Sequence, residues 1–287
     1  MDDRIYLENT SSKGNQTKFK EDTKWYKLDY LGYESASEYL ASEILKQSNV
    51  KNFVEYDIEI IEISGKVKKV CVSDDFLKNQ ELITLDTLIK ANYGKSLDTI
   101  LKGLSLKEKI QKTVDIVEEI TKIKNFGQYL TCMLEFDAFI LNEDRHFNNI
   151  CVLKNTDKTY SLCPIFDNGA AFLSDIMQDY PLDKSTYGLI NNVTAKPFDK
   201  SFDKQIEICE SLYGQQLKIS KELGLTKAIL KINRIYGNEI SKRISDIIEH
   251  QKYLYSEFLK TQDEIQKSVE PEERNEIENN ELEITDK

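Results

Sequence analysis

Two acidic residues and an amide in the middle of the chain have the spacing of a phosphoryl-transfer site. Asp144 is followed five residues later by Asn149, and Asp167 begins an Asp-Asn-Gly triplet after a short apolar segment. In such sites one Asp orients the attacking hydroxyl, while an Asn and a second Asp hold the magnesium ions that neutralise charge on the transferred phosphate. We therefore predict that Asp144 is the catalytic residue and that Asn149 and Asp167 bind magnesium.

Two neighbours of Asp144 leave other interpretations open. Arg145 follows it directly, and an Asp-Arg pair in a loop is more often a structural salt bridge than part of a catalytic site. Asn148 competes with Asn149 for the metal, although the spacing from Asp144 favours Asn149. The prediction therefore depends on the presence of all three spaced partners rather than on the Asp-Arg-His string alone.

The motif as a whole resembles the HipA-like serine/threonine kinases, including their short CtkA-like and HipT-like members. The resemblance rests on N-x-D-R-H-x-N-N at residues 142–149 together with D-N-G at 167–169. More loosely, the motif is similar to that of phosphoinositide kinases, which carry D-R-H-x-x-N and D-F-G. The resemblance implies a bilobal kinase fold, dependence on ATP and magnesium, Asn149 as the metal ligand and a structural role for His146.

A short polar segment near the N-terminus is the predicted phosphate loop. Residues 11–18 resemble the HipA-like pattern S-x-x-G-x-Q-x-K, which implies nucleotide binding by Ser11, Ser12, Gly14, Gln16 and Lys18. Small residues let backbone N–H groups approach phosphates, although a cluster of this composition is also typical of a plain surface turn. HipA-like kinases modify themselves in this loop, so the resemblance also implies self-phosphorylation at Ser11 or Ser12.

A lysine inside an aromatic strand is the second predicted contact to the nucleotide. Lys27 lies in W-Y-K-L-D-Y, where a buried ammonium group needs a charged partner. The resemblance implies that Lys27 pairs with Glu38 of the following helix and supports the phosphates, whereas Glu43 is a solvated surface charge. The alternative is a solvent-facing lysine on an edge strand.

The first 76 residues are predicted to form a small, strand-rich lobe that contains the phosphate loop. Strands are expected at 25–30, 54–63 and 66–72, the last two joined by a Ser-Gly hairpin turn. A helix is expected over 35–47, capped by Ser35 or Ser37. Residues 73–76 are the predicted hinge, in which Ser73 and Phe76 contact adenine.

Residues 77–262 are predicted to form a larger, mostly helical lobe. The pattern becomes helical from Leu82, and amphipathic helices are expected at 107–124, 129–141 and within 201–260, where Gly214, Gly224 and Gly237 mark helix ends. Short strands at 150–153 and 160–165 flank the catalytic loops. The fold class is therefore α+β, a bilobal protein-kinase-like fold. Residues 263–287 are expected to be a disordered acidic tail.

Composition excludes several classes of protein. The 287 residues are 40% apolar and 31% charged, with a net charge of −11 and no apolar run long enough to span a membrane. Ten acidic and three basic residues fall in 261–287, so the acidity is concentrated at the end of the chain. Five cysteines without C-x-x-C spacing, and no leader, predict reduced thiols and a cytoplasmic protein. No basic patch interleaved with aromatics indicates nucleic-acid binding.

Three functions compete on this evidence. The first is an ATP- and magnesium-dependent serine/threonine protein kinase with a protein substrate and an antitoxin or other regulatory protein as partner. The second is a phosphoinositide or small-molecule kinase with the same site, which should show a cationic or apolar membrane-facing surface. The third is a pseudokinase or interaction module that keeps the fold without catalysis. Because each part that the chemistry requires has a candidate residue, we favour the first.

Overall fold

The small lobe is an antiparallel sheet covered by one long helix. The computed structural model describes residues 5–8 and 16–267; residues 268–287, most of the predicted acidic tail, lie outside this range. The sheet has the strand order β1-β2-β3-β5-β4. Its elements are β1 (Ile5–Glu8), β2 (Thr17–Glu21), β3 (Lys24–Leu28), β4 (Asp57–Ile63) and β5 (Lys66–Asp74), and helix α1 (Glu34–Leu45) packs on it.

The hairpin between β4 and β5 forms where the sequence predicts it. Ser64 and Gly65 both have positive φ, 51° and 73°, as a two-residue turn between twisted antiparallel strands requires. The turn sets the register that pairs Ile58 with Cys71 and buries both side chains. Strand β5 is thereby held between β3 and β4, at the centre of the lobe.

Helix α1 begins differently from the prediction. Neither Ser35 nor Ser37 caps it, and the helix starts at Glu34 without a side-chain cap. Instead, the Glu34 carboxylate accepts a hydrogen bond from the Leu31 N–H at 2.6 Å, and the Ser35 N–H donates to Asp29 Oδ1 at 2.7 Å. The first turn is therefore tied to the preceding loop: Asp29 of the loop accepts from a helix N–H, Glu34 of the helix accepts from a loop N–H, and both acids stabilise the helix dipole.

A second, three-stranded sheet follows the small lobe in the chain, and one of its strands corrects the prediction. We expected helix from Leu82, but β6 (Glu81–Thr84) pairs with β7 (Cys151–Lys154), which pairs in turn with β8 (Tyr160–Leu162). Leu82 lies opposite Leu153 and packs in a small apolar cluster with it. This tertiary pairing outweighs the local helical pattern. The helix begins only after Thr84, whose hydroxyl accepts from the Thr87 N–H.

The large lobe is helical, as predicted. Its helices are α2 (Leu85–Tyr93), α3 (Leu97–Leu101), α4 (Leu106–Thr121), α5 (Phe126–Ile140), α6 (Thr186–Ile190), α7 (Phe202–Tyr213), α8 (Thr226–Tyr236) and α9 (Asn238–Leu254). Gly214 and Gly237 end α7 and α8 as expected. Two short strands, β9 (Ile219–Ser220) and β10 (Leu259–Lys260), pair in parallel and were not predicted.

The two lobes share one apolar core. Buried side chains of α1, such as Leu40, belong to the same cluster as Phe136 and Phe139 of α5 and Ile247 of α9. Within the described residues, no helix is long and apolar enough to cross a membrane. The bilobal kinase-like α+β fold class predicted from the sequence is confirmed, and the shared core fixes α1 against the segments that carry the catalytic motif.

Candidate active site

The catalytic loop follows α5 and is anchored by a buried arginine. Arg145 is fully buried, and its guanidinium donates to both carboxylate oxygens of Asp137, at 2.8 and 2.9 Å. Asn142 adds a third hydrogen bond to Asp137 at 2.8 Å. Arg145 therefore pairs with a residue of α5 rather than with Asp144. Arg145 does form a salt bridge, but its partner is a different acid, and Asp144 lines the cleft instead.

Arg145 also fixes the D-N-G segment. Its Nη1 donates to the Phe166 carbonyl at 2.8 Å, and its Nη2, which also bonds Asp137, donates to Asn168 Oδ1 at 2.7 Å. A planar guanidinium offers five donors in a rigid arrangement, so one side chain holds two chain segments at a set separation. The loop that carries Asp144 and the segment that carries Asp167 are thereby joined behind the cleft.

Asp144, Asn149 and Asp167 line one cleft between the lobes. The Asn149 amide nitrogen donates to the Asp144 carbonyl at 2.9 Å, which leaves the amide oxygen for a cation. Asn148 is exposed and lies 3.5 Å from the Thr84 hydroxyl, and it does not line this cleft. The placement therefore favours Asn149 over Asn148.

Lys27 is at the centre of the site. Its ammonium group donates to Glu38 Oε1 at 2.6 Å and to Asp167 Oδ1 at 2.8 Å, so the predicted contact between Lys27 and Glu38 is present. The other oxygen of Glu38 accepts from the Asn168 N–H at 2.8 Å. Glu43 lies elsewhere on α1 and pairs with Lys46, as expected of a surface charge. One oxygen of Glu38 thus bonds Lys27 of the small lobe and the other bonds the D-N-G segment, so Glu38 connects the two.

The charges of this cluster set its protonation. Burial opposes the charged form of Asp167, but the attraction of Lys27, followed by Arg145 and Lys18, outweighs it and lowers the pKa of Asp167 to about 2. Burial likewise opposes the charge on Lys27, yet Asp167 and Glu38 raise its pKa well above the ordinary value. Asp167 is therefore a carboxylate and Lys27 an ammonium ion throughout the physiological range.

Five of the eight residues of the predicted phosphate loop, 11–15, lie outside the described residues, and they include Ser11, Ser12 and Gly14. Gln16 is described, lines the cleft, and donates to the Leu28 carbonyl at 2.9 Å. Lys18 lies directly across from Lys27 in the β2–β3 pair. Burial and then the charge of Lys27 lower the pKa of Lys18. Two adjacent lysines on one strand pair are the local charge that a polyphosphate requires.

The predicted hinge is only partly a connector. Ser73 lies within β5 and pairs with Trp25 of β3, whereas Phe76 follows the strand. The Phe76 ring packs 5.7 Å from that of Phe166, just before the D-N-G segment. Strand β5 runs two residues further than expected because its pairing with β3 continues to Asp74. Phe76 thus lies beside the cleft, and the adenine contacts of both residues stay predictions.

One functional candidate was missed by sequence reasoning. Lys196 Nζ lies 2.7 Å from Asp144 Oδ1, although the two residues are 52 positions apart. His146 Nε2 is 3.8 Å from the other oxygen of Asp144, which agrees with a role in ordering the loop. No local pattern in the sequence links Lys196 to Asp144.

The donors at the cleft fit a magnesium ion. Asp167 offers a carboxylate and Asn149 an amide oxygen, which are hard oxygen ligands of the kind that magnesium selects. Among the described residues, no group of three or more acidic, histidine or cysteine side chains is arranged to bind a metal. Magnesium commonly binds through one or two carboxylates together with substrate phosphates and water. The residues therefore suit an ion that arrives with a nucleotide.

The fold has a known counterpart among solved structures. The crystal structure of the Helicobacter pylori proinflammatory kinase CtkA matches with a TM-score of 0.60 and 16% identity, covering 88% of this chain and 93% of that one. An apo thermostable mutant of the aminoglycoside phosphotransferase APH(4)-Ia matches with a TM-score of only 0.28 and 12% identity, over 86% and 94% of the two chains. No protein-family profile and no curated protein matches the sequence. The likeness to CtkA shows a kinase-like fold.

Proposed function

We propose that this protein is an ATP- and magnesium-dependent serine/threonine protein kinase of the HipA-like type. The observation that carries the proposal is the assembly of Lys27, Glu38 and Asp167 at one cleft whose lining also includes Asp144 and Asn149. These residues come from both lobes and from well-separated parts of the sequence. Phosphoryl transfer depends almost entirely on positioning and on electrostatic stabilisation, and this arrangement supplies both.

Each residue has a defined task in the proposed reaction. The substrate hydroxyl is oriented by the Asp144 carboxylate and attacks the γ-phosphorus, while the bond from that phosphorus to the β–γ bridging oxygen breaks. The hydroxyl proton passes to Asp144. Lys27 binds nucleotide phosphates, and Glu38 holds Lys27 in place. Asp167 and Asn149 hold magnesium, which neutralises phosphate charge when bound.

Serine or threonine in a protein is proposed as the acceptor because of the motif resemblance. N-x-D-R-H-x-N-N with D-N-G is the HipA-like form, and the match to CtkA extends over most of both chains. A lipid kinase would need a membrane-facing surface that is apolar or cationic. The described lysines are mostly dispersed among acids, as in the pairs Lys46–Glu43 and Lys20–Asp75.

The test is phosphoryl transfer from radiolabelled ATP with magnesium, using the full chain. Generic protein substrates and phosphoinositide vesicles are offered in parallel, and the labelled amino acid is identified after hydrolysis. We expect label on serine or threonine, abolished by Asp144→Asn and retained by Asp157→Asn, an exposed acid in the β7–β8 turn. Label on lipid alone would replace the proposed substrate. Equal activity of wild type and Asp144→Asn would overturn the site.

Self-phosphorylation of Ser11 or Ser12 is the regulatory part of the proposal and rests on the resemblance. A phosphate there would add about −1.5 to −2 charges to a loop that must hold another polyanion. We therefore expect lower ATP affinity after modification. Peptide mapping after incubation with magnesium and ATP locates the phosphate. A Ser11→Asp/Ser12→Asp variant that binds ATP as tightly as wild type would exclude inhibition and leave the kinase assignment intact.

A further inference from the structure

Lys196 contacts Asp144 from a distant part of the chain. Its ammonium group lies 2.7 Å from Asp144 Oδ1, and its side chain is 39% exposed. Ion pairs between exposed side chains stabilise a fold by only about 0.2–1 kcal/mol, and solvent at the Lys196 side chain screens this pair in the same way. Stability alone therefore gives little reason for a lysine at this particular carboxylate, which the proposed reaction uses.

The backbone on both sides of Lys196 is fixed. The buried Gln205 amide donates to the Lys196 carbonyl at 3.2 Å and accepts from the Phe198 N–H at 2.9 Å. The Phe198 ring also packs edge-on against Phe147 of the catalytic loop, with centroids 5.4 Å apart. The Phe198–Phe147 contact thus joins this segment to the catalytic loop independently of the ion pair, while Gln205 of α7 fixes the backbone of the segment. The Lys196 ammonium is preorganised at Asp144 rather than held there by the ion pair alone.

The negative charge of the cleft would be reduced by a cation beside Asp144. Five carboxylates line the described part of the cleft, namely those of Glu34, Glu143, Asp144, Asp167 and Asp175. Lys27 provides positive charge beside Asp167. Lys196 provides it beside Asp144, where the transferred group must meet its acceptor. A lysine ammonium has three donors, so one can bond Asp144 while others reach a phosphoryl oxygen.

We propose that Lys196 is a further catalytic residue, a cation that donates to the γ-phosphoryl oxygens while Asp144 holds it. This inference rests on the proposed kinase function. The acceptor oxygen bonds to the γ-phosphorus, the bond to the bridging oxygen breaks, and the hydroxyl proton goes to Asp144. Lys196 keeps its proton throughout. Its charge stabilises the equatorial oxygens of the transition state, as a cation supplied in cis does in other phosphoryl-transfer enzymes.

A cation beside Asp144 is compatible with the role of that carboxylate. The transition state of phosphoryl transfer is loose in most descriptions, with little bonding to the nucleophile, so positioning of the hydroxyl matters more than the strength of the base. Lys196 also links the acceptor to the donor, because one ammonium group contacts the residue that orients the hydroxyl and the phosphoryl group that the hydroxyl attacks.

The test compares Lys196→Met, Lys196→Arg and Lys200→Met. Lys200 lies in the same segment with an exposed side chain, so it controls for loss of a positive charge. We expect Lys196→Met to lower kcat by roughly 10²–10³-fold. It should weaken binding of a non-hydrolysable ATP analogue while leaving ADP affinity unchanged, because ADP lacks the γ-phosphoryl group. Lys196→Arg should restore part of kcat, and Lys200→Met should match wild type.

Each other outcome overturns the inference. An equal loss of affinity for ADP and for the ATP analogue would show a structural role, and unchanged kcat would show no role. A higher kcat would show that Lys196 blocks Asp144. If Lys196→Met does not fold, the difference between ADP and analogue binding is measured on Lys196→Gln. Inactive wild type, indistinguishable from Asp144→Asn with every substrate, would instead overturn the proposed function.

Discussion

Two ion-pair clusters lie on opposite sides of the D-N-G segment and are built differently. In one, Lys27 joins Glu38 and Asp167 at the cleft, where the Asp167 side chain is 33% exposed. In the other, Arg145 joins Asp137 and Asn168 in the interior, and all three are almost completely buried. The first cluster keeps groups available to a ligand, whereas the second has every strong donor satisfied by protein.

The side chains of Asp167 and Asn168, which are adjacent in the chain, belong to different clusters. Asp167 has a φ of 63°, in the left-handed region that non-glycine residues rarely adopt. This backbone conformation lets Asp167 face the cleft while Asn168 faces Arg145. Strain of this kind persists where surrounding contacts fix it and is concentrated at functional sites. The interior cluster therefore fixes the position of the D-N-G segment, and the cleft cluster presents charged groups from that segment to a ligand. Mutations in the interior cluster should lower stability, whereas mutations in the cleft cluster should lower activity.

The largest effect should come from breaking the interior cluster. Arg145→Met leaves Asp137 as a buried carboxylate without its cation, which should lower the free energy of unfolding by about 3–5 kcal/mol. Urea denaturation followed by circular dichroism measures the loss. Lys231→Met removes an exposed partner of Asp57 and should cost less than about 1 kcal/mol. Similar losses for both variants would mean that burial does not distinguish the clusters.

In the cleft cluster, Asp167→Asn should abolish activity without unfolding the protein. Loss of one preorganised electrostatic contact typically lowers the rate by roughly 10²–10³-fold. Asp167→Asn should also remove the magnesium dependence of nucleotide binding, whereas Asp144→Asn should retain it. Titration calorimetry with and without magnesium separates the two variants. An Asp167→Asn protein that still binds nucleotide more tightly with magnesium would contradict the metal assignment.

A smaller, graded effect is expected along α1. Lys27→Met should reduce ATP turnover severely, because it removes the cation that contacts both carboxylates. Glu38→Ala should reduce turnover less, since Asp167 still holds Lys27. Glu43→Ala is the matched control on the same helix and should be neutral. Equal losses for Glu38→Ala and Glu43→Ala, or a loss for Glu43→Ala alone, would show that Glu38 is the wrong partner.

The last prediction concerns Glu135, a buried acid two residues from Asp137 on α5 that forms no salt bridge with the described residues. Burial raises the pKa of Glu135 to about 8, against the N–H groups of Leu217 and Gln216, and Glu210 contributes to the rise. The folded state therefore holds a proton that the unfolded chain, with a Glu pKa of about 4.3, releases. Stability should fall as pH rises between these values and level off above about 8.

Glu135→Gln should remove this pH dependence because an amide does not titrate. The amide oxygen can still accept from the Leu217 N–H, so the fold should be kept. Unfolding free energies measured at about pH 5, 7 and 9, on both sides of the shifted pKa, test this prediction. Glu119→Gln, at an exposed position on α4, should keep the wild-type slope. A slope that survives in Glu135→Gln would place the titrating group elsewhere.

The sequence alone was sufficient for the fold class and for several candidates at the site. Asp144, Asn149 and Asp167 are recognisable because their residue types and order are those of a phosphoryl-transfer site, whereas the pairing of Lys27 with Glu38 was implied by the resemblance to HipA-like kinases. The Ser-Gly turn and the glycines that end α7 and α8 were predictable from the residues that turns and helix ends prefer. Each is a local preference of a few neighbouring residues.

Tertiary structure alone decided the contacts between distant segments. Asp137 rather than Asp144 became the partner of Arg145, Leu82 entered a strand opposite Leu153, and Lys196 reached Asp144 across 52 positions. None of these follows from a periodic pattern, because each depends on which segments the shared core brings together. Burial then stabilises these pairings, because a charged group removed from water needs an opposite charge or hydrogen-bond partner close to it in the folded structure.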